Sequence, residues 1–262
     1  TDVTVVDTVA VDAGTVVDAG VDTTVEDVVT EVVDPIKAGP FSSTKASATV
    51  ELAGGGFFPE NASLDIYLPE TDGLYPVVVF SHGFQLSPGD YKTYGEHLAS
   101  WGYVAVLPQY PGSILAPRNH AQLRDDLSAI IDWIEGNPAE LKGRADTANI
   151  GLSGHSMGGK ISLLLAATDA RPSAVFAVDP VDAGPPFPHS AAEYPSVTPE
   201  LMPDITVPLG IVGETTNKTG GFGGACAPEE DNFQQYYKAA TAPAVEIDML
   251  GANHMSFLDN AD

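Results

Sequence analysis

Residues 149–167 read N-I-G-L-S-G-H-S-M-G-G-K-I-S-L-L-L-A-A. A short run suited to a strand, Asn149–Leu152, enters the motif Gly154-His155-Ser156-Met157-Gly158. A stretch with helical spacing, Met157–Ala167, leaves it. A strand that becomes a helix within a few residues has no room for side chains two positions either side of the turn, which is the reason for both glycines. The residue at the apex takes a strained backbone and points its side chain into the cleft. Ser156 therefore reads as a nucleophile, with the amides and positive dipole end of the following helix beneath it. Gly159 permits closer packing of that helix.

Outward from this stretch the chain alternates strands and helices. Candidate strands are Ala48–Leu52, Ser63–Tyr67, Pro76–Phe80, Val104–Pro108, Ala174–Val178, Val207–Val212 and Val245–Met249. Several are short apolar runs, as strands covered on both faces should be. Helical spacing marks Tyr91–Ser100, Ala121–Ile134 and Asn232–Ala240. The order predicts an α/β fold: a mostly parallel, doubly wound sheet of about eight strands flanked by helices. Two long loops, 179–204 and 213–231, follow strands on the edge where such sheets carry their sites. Neither contains a convincing helical cap domain.

A nucleophilic serine needs a base, an acid to orient the base, and donors for the developing oxyanion. The base in this chain order follows the last strand, and His254 is the one histidine of six that does so. His82 is a weaker candidate base, since its place fits backbone positioning better. His97 and His120 read as ordinary surface residues on helices, and His155 as a buried hydrogen-bonding group. The acid has two candidate positions: Asp179, directly after the sixth strand, and Glu214, after the seventh. Asp179 is preferred, because Pro180 follows it and stiffens the turn, and Asp182 reads as a loop cap or supporting group. The expected oxyanion donors are the amides of Phe84, in the loop after the third strand, and Met157. Tyr110, Phe187 and His189 are candidate substrate contacts. This chemistry needs no cofactor and no metal.

Residues 1–40 differ from the rest. They hold nine acidic residues against one lysine, no aromatic residue, and the repeat VDAG at 11–14 and 17–20. Such a stretch has little with which to close a core and reads as a disordered acidic linker, leaving 41–262 as the folded domain. Its Asp-Gly spacing fits no calcium loop. The formal net charge of −25 disfavours nucleic acid and anionic membranes as partners. No apolar run has the length of a membrane span. Cys226 is the single cysteine, so neither an internal disulfide nor a cysteine-based metal site can form. A monomer is expected, and Thr1 in first place is compatible with a removed leader.

The segments YPVVVFSHGF (75–84), GHSMGGK (154–160), AVDPVDAG (177–184), CAPEEDNF (226–233) and GANHMSFLDN (251–260) together resemble chlorophyllases. They are also similar to cutinase-like and platelet-activating-factor acetylhydrolase-like esterases of the α/β-hydrolase type. The resemblance implies the α/β-hydrolase fold and a metal-free Ser–Asp–His triad with its acid in the D-P-V-D segment, at Asp179. It implies hydrolysis of carboxylic esters, and the apolar cleft expected from Phe84, Met157, Tyr110 and the Pro-rich loop suits hydrophobic or polymeric ones. Met157 departs from plant chlorophyllases, which typically carry Arg there, and looks more like bacterial polyester-degrading cutinases. The N-terminal tract resembles tethers of exported bacterial lipoproteins, which implies secretion or attachment at the cell surface.

Overall fold

A computed structural model describes residues 34–52, 60–112, 118–185, 188–219 and 225–261. Most of the acidic tract, and the expected substrate contact Phe187, lie outside the described residues. The strands are β1 (Ser43–Leu52), β2 (Glu60–Pro69), β3 (Tyr75–Ser81), β4 (Val104–Gln109), β5 (Ala145–His155), β6 (Pro172–Val178), β7 (Leu209–Gly213) and β8 (Ala244–Asp248). The helices are α1 (Lys92–Ser100), α2 (His120–Glu135), α3 (Met157–Ala166) and α4 (Phe233–Ala239). All eight strands form one sheet in the order β1-β2-β4-β3-β5-β6-β7-β8. β1 and β2 are an antiparallel pair, β2 meets β4 antiparallel, and every other pairing is parallel.

The apolar runs are explained by the two covered faces. In β3 and β4, Val77, Val79, Val104 and Val106 join one core cluster with Leu127, Ile130, Ile131 and Ile134 of α2 and with Leu163–Leu165 of α3. Their neighbours Phe80, Ala105 and Leu107 join a second cluster with Tyr91 and Ala99, on the side of α1. The period of two thus sends alternate residues to opposite helical layers. Asn119 starts α2 by accepting from Gln122 N at 2.8 Å, while the Gln122 side chain accepts from Asn119 N at 3.1 Å. α3 is buried at every position from Gly158 to Ala166. Each of its three consecutive leucines contributes about 2 kcal/mol by burial.

The strand order places the site. β3 lies between β4 and β5. The chain leaves β3 towards one side and arrives at β5 on the other, so a crevice opens beyond the carboxyl ends of these two strands. Between β6 and β7 the described residues hold only the short 3-10 turn Met202–Asp204, and no helical cap covers the crevice there. No described helix is long and apolar enough to cross a membrane.

Candidate active site

Ser156 sits between β5 and α3 with φ 56° and ψ −120°. A non-glycine residue in this region costs about 1–3 kcal/mol, and it persists because its surroundings leave no alternative. A Cβ on Gly158 would stand 2.1 Å from Ser81 O, and one on Gly154 would stand 2.6 Å from the same oxygen. The turn is therefore pressed against the end of β3. Ser156 N donates to Val178 O at 2.9 Å, which ties it to β6 as well.

His254 reaches the serine from the loop after β8. Its Nε2 lies 3.0 Å from Ser156 Oγ, and its Nδ1 lies 2.6 Å from Asp179 Oδ2. A carboxylate only accepts, so Nδ1 carries the proton and Nε2 offers its lone pair to the serine hydroxyl. Asp179 is fully buried at the end of β6, with φ 42°. Its other oxygen accepts from Glu214 N at 3.2 Å. The two candidate acids are thus neighbours with different tasks. The Glu214 carboxylate accepts from the amides of Thr216 and Asn217. Asn217 Oδ1 in turn accepts from His254 N at 2.8 Å. Glu214 shapes the turn that holds the histidine backbone, and Asp179 holds its ring.

Phe84 and Met157 line one cavity of about 260 Å³, together with His82, Leu86, Gln109, Tyr110, Pro111 and Leu123. A larger concavity of about 1490 Å³ lies by α1 and the sheet face of β5–β8, and Ser156, Asp179 and His254 are absent from its lining. Those three residues are absent from the lining of the smaller cavity too, but Met157, which directly follows Ser156, is part of its wall. Tyr110 contributes its ring there, while its hydroxyl pairs with Ser81 Oγ at 2.8 Å. His82 Nδ1 donates to Gly83 O at 2.8 Å, and burial pulls the imidazole below its ordinary value. It braces the loop and does not bond to Ser156.

Two histidines stand where spacing alone did not put them. His120 is buried, contrary to the surface reading, because the first turn of α2 packs under Tyr194, with ring centroids 4.8 Å apart. The exposed His189 meets Tyr194 edge-on, with ring centroids 5.0 Å apart, and lies outside the 260 Å³ cavity. Sequence reasoning also missed Tyr91, Asn217 and the buried Lys160–Asp182 pair. Lys160 Nζ donates to Asp182 O at 2.6 Å and lies 3.1 Å from its Oδ1. Asp182 also accepts from Val197 N and Thr198 N, which pins the loop after β6. Lys160 stands in the quoted GHSMGGK segment, and a lysine on an otherwise apolar helix was the available signal.

His155, Asp179 and His254 bring ligand-type atoms within 4.8 Å of one another. His254 Nδ1 and His155 Nε2, however, face Asp179 Oδ2 and the His254 carbonyl, both acceptors. Those nitrogens carry protons, so the donor set fits proton transfer.

The sheet order, the strained serine after β5 and the histidine after β8 define an α/β-hydrolase. The chlorophyllase family model matches residues 36–262, and the chain belongs to that family. It is 30% identical to Chlorophyllase-1 of Arabidopsis thaliana over 206 residues, covering 74% of this chain and 63% of that protein. It is 25% identical to a bis(hydroxyethyl) terephthalate hydrolase of Streptomyces coelicolor, covering 83% of this chain and 62% of the relative. Cutinase 2 of Thermobifida cellulosilytica is 28% identical over 50% of this chain and 47% of its own length. The chain thus spans somewhat less than two thirds of the Arabidopsis and Streptomyces proteins.

Proposed function

We propose that this chain is a serine carboxylic-ester hydrolase that works through an acyl-enzyme. The observation that carries the reading is the 3.0 Å contact between Ser156 Oγ and a His254 ring whose far side is held by Asp179. Ser156 Oγ attacks the ester carbonyl carbon while its proton passes to His254 Nε2. The amides of Phe84 and Met157 receive the negative oxygen. The tetrahedral species collapses, the C–O bond to the alcohol breaks, and the leaving oxygen takes the proton from Nε2. Water then attacks the acyl-serine, gives a proton to Nε2, and releases the acid as Ser156 recovers its hydrogen. Asp179 keeps the ring in the right tautomer and stabilises its cation.

The cavity favours a hydrophobic acyl group, since Phe84, Leu86, Tyr110, Pro111, Leu123 and Met157 make up most of a wall that His82, Gln85, Gln109 and Arg118 share. We place polyester or cutin-like esters first, in keeping with Met157 and with the names of the Streptomyces and Thermobifida relatives. Chlorophyll comes second and short-acyl phospholipids third. Turnover of p-nitrophenyl butyrate with Ser156→Ala as control tests the reaction. Equal rates would leave the fold as a binding module. A polyester film, chlorophyll and soluble esters assayed side by side rank the substrates. The acidic, aromatic-free composition of residues 1–40 supports an exported or surface-tethered enzyme. Recovery of the protein only from the cytosol of its host would refute that placement.

A further inference from the structure

We infer that Tyr91 and His155 are a positioning pair that locks the oxyanion loop, the nucleophile turn and the base loop into one register. The inference rests on the esterase reading above and adds two residues that touch neither the substrate nor the reacting atoms.

Four groups form a line of hydrogen bonds. Gly83 N lies 3.2 Å from Tyr91 Oη. Tyr91 Oη lies 2.7 Å from His155 Nδ1. His155 Nε2 lies 2.9 Å from the carbonyl oxygen of His254. The direction of every bond follows from its last member. The His254 carbonyl can only accept, so His155 Nε2 carries the proton and Nδ1 is an acceptor. Tyr91 must then donate to Nδ1, which leaves its oxygen to accept from Gly83 N–H.

The line joins three separate parts of the site. Gly83 precedes Phe84, His155 precedes Ser156, and the His254 carbonyl belongs to the base itself. Tyr91 and His155 are both wholly buried. The His155 ring stands 4.6 Å from the His254 ring and 5.8 Å from Phe257. A Cβ on Gly83 would come within 3.2 Å of both Tyr91 Oη and His155 Nδ1, so the loop fits directly over the pair. Burial holds His155 down to about 3, which keeps its ring neutral. Burial also raises the Tyr91 hydroxyl, so it keeps its proton. With a neutral His155 ring and a protonated Tyr91 the line has one proton arrangement. It acts as a fixed strut.

Tyr91→Phe keeps the ring against Phe80, whose centroid is 5.0 Å away, but leaves Gly83 N–H and His155 Nδ1 without their partner. The Phe84 peptide is then free to turn from the oxyanion. With p-nitrophenyl butyrate, kcat should fall by about 10²-fold, the scale on which a misplaced donor acts. KM should change by less than about threefold and the shape of the pH profile should not move, because ground-state binding and the base are intact. His155→Gln restores a donor for the His254 carbonyl, whereas His155→Leu restores nothing, so the glutamine variant should have the higher kcat. Thermal unfolding of each variant checks the fold. Wild-type kcat in Tyr91→Phe, with Ser156→Ala inactive, would overturn the pair while leaving the esterase intact. Full activity in Ser156→Ala would remove both. Should Tyr91→Phe fail to fold, the two His155 variants decide, and equal kcat in them overturns the proposal.

Discussion

Asp179→Asn replaces one oxygen of a buried carboxylate by an amide nitrogen and should remove nearly all esterase activity. The carboxylate now accepts from His254 Nδ1 at 2.6 Å and from Glu214 N at 3.2 Å. An asparagine retains a single oxygen for the two donors. If that oxygen faces Glu214 N, its NH2 faces Nδ1 and forces the proton onto Nε2, where it opposes the serine hydroxyl. The wrong tautomer costs about 10⁴-fold in kcat. That factor corresponds to about 5.5 kcal/mol of lost transition-state stabilisation. KM should hardly change, because Asp179 is fully buried and has no route to the substrate. Stability should hold or rise, since a buried charge is removed without opening a cavity. Glu214→Gln is the paired control. Its side chain keeps an oxygen for the turn amides at Thr216 and Asn217, so kcat should fall by no more than about tenfold, through slackening of the His254 backbone. Steady-state kinetics and urea unfolding of both variants provide the assay. A loss above about 10³-fold in Glu214→Gln beside a mild one in Asp179→Asn would refute the assignment of the acid.

Other outcomes follow from the same contacts. Gly158→Ala places a Cβ 2.1 Å from Ser81 O, backbone against backbone, and should cost about 3 kcal/mol in urea unfolding or leave no soluble protein. Lys160→Met removes the cation paired with the buried Asp182 carboxylate, which keeps its bonds from Val197 N and Thr198 N, and should cost about 3 kcal/mol, part of which Asp182→Asn returns in the double variant. Burial holds His120 and His155 down to about 3, against an ordinary 6.5. Lys160, Asp182 and His189 surround the first electrostatically, and His254 and Tyr91 adjoin the second. Between those limits the unfolded chain takes up protons that the folded chain refuses, so the contribution of these two groups is fully present above pH 6.5 and is lost towards pH 3. Each histidine should account for about 2 kcal/mol of loss at pH 5, and His155→Gln should flatten the urea-derived slope by one proton.

Much of the fold was legible because apolar runs report burial on both faces. β3, β4 and the apolar part of β6 stand close to where their valines put them. The long ends were not. β1 begins at Ser43 and β5 at Ala145, several residues ahead of their apolar parts. There the strands pair with β2 and β3 through polar residues such as Thr44, Lys45 and Asp146, which carry no hydrophobic signal. The closeness of Ser156 and His254 followed from chain order alone, because this topology returns the last strand's loop to the turn after β5. The preference for Asp179 over Glu214 rests on Pro180 and the D-P-V-D resemblance; the two strand ends meet within one hydrogen bond, and the carboxylate against the His254 ring is that of Asp179. Tyr91 was out of reach: it bonds to His155 across 64 positions, and no periodicity links them. His120 misled for a related reason, since the helix position is polar-looking but Tyr194, far along the chain, covers it.

Ser156 is proposed to carry the acyl group, and mass spectrometry of rapidly quenched reactions tests this most directly. During turnover of p-nitrophenyl butyrate the intact protein should gain one butyryl group. Peptide mapping should place it on Ser156, and Ser156→Ala should show neither adduct nor turnover. Turnover without an adduct on Ser156, or an adduct on another residue that persists in Ser156→Ala, would contradict the account.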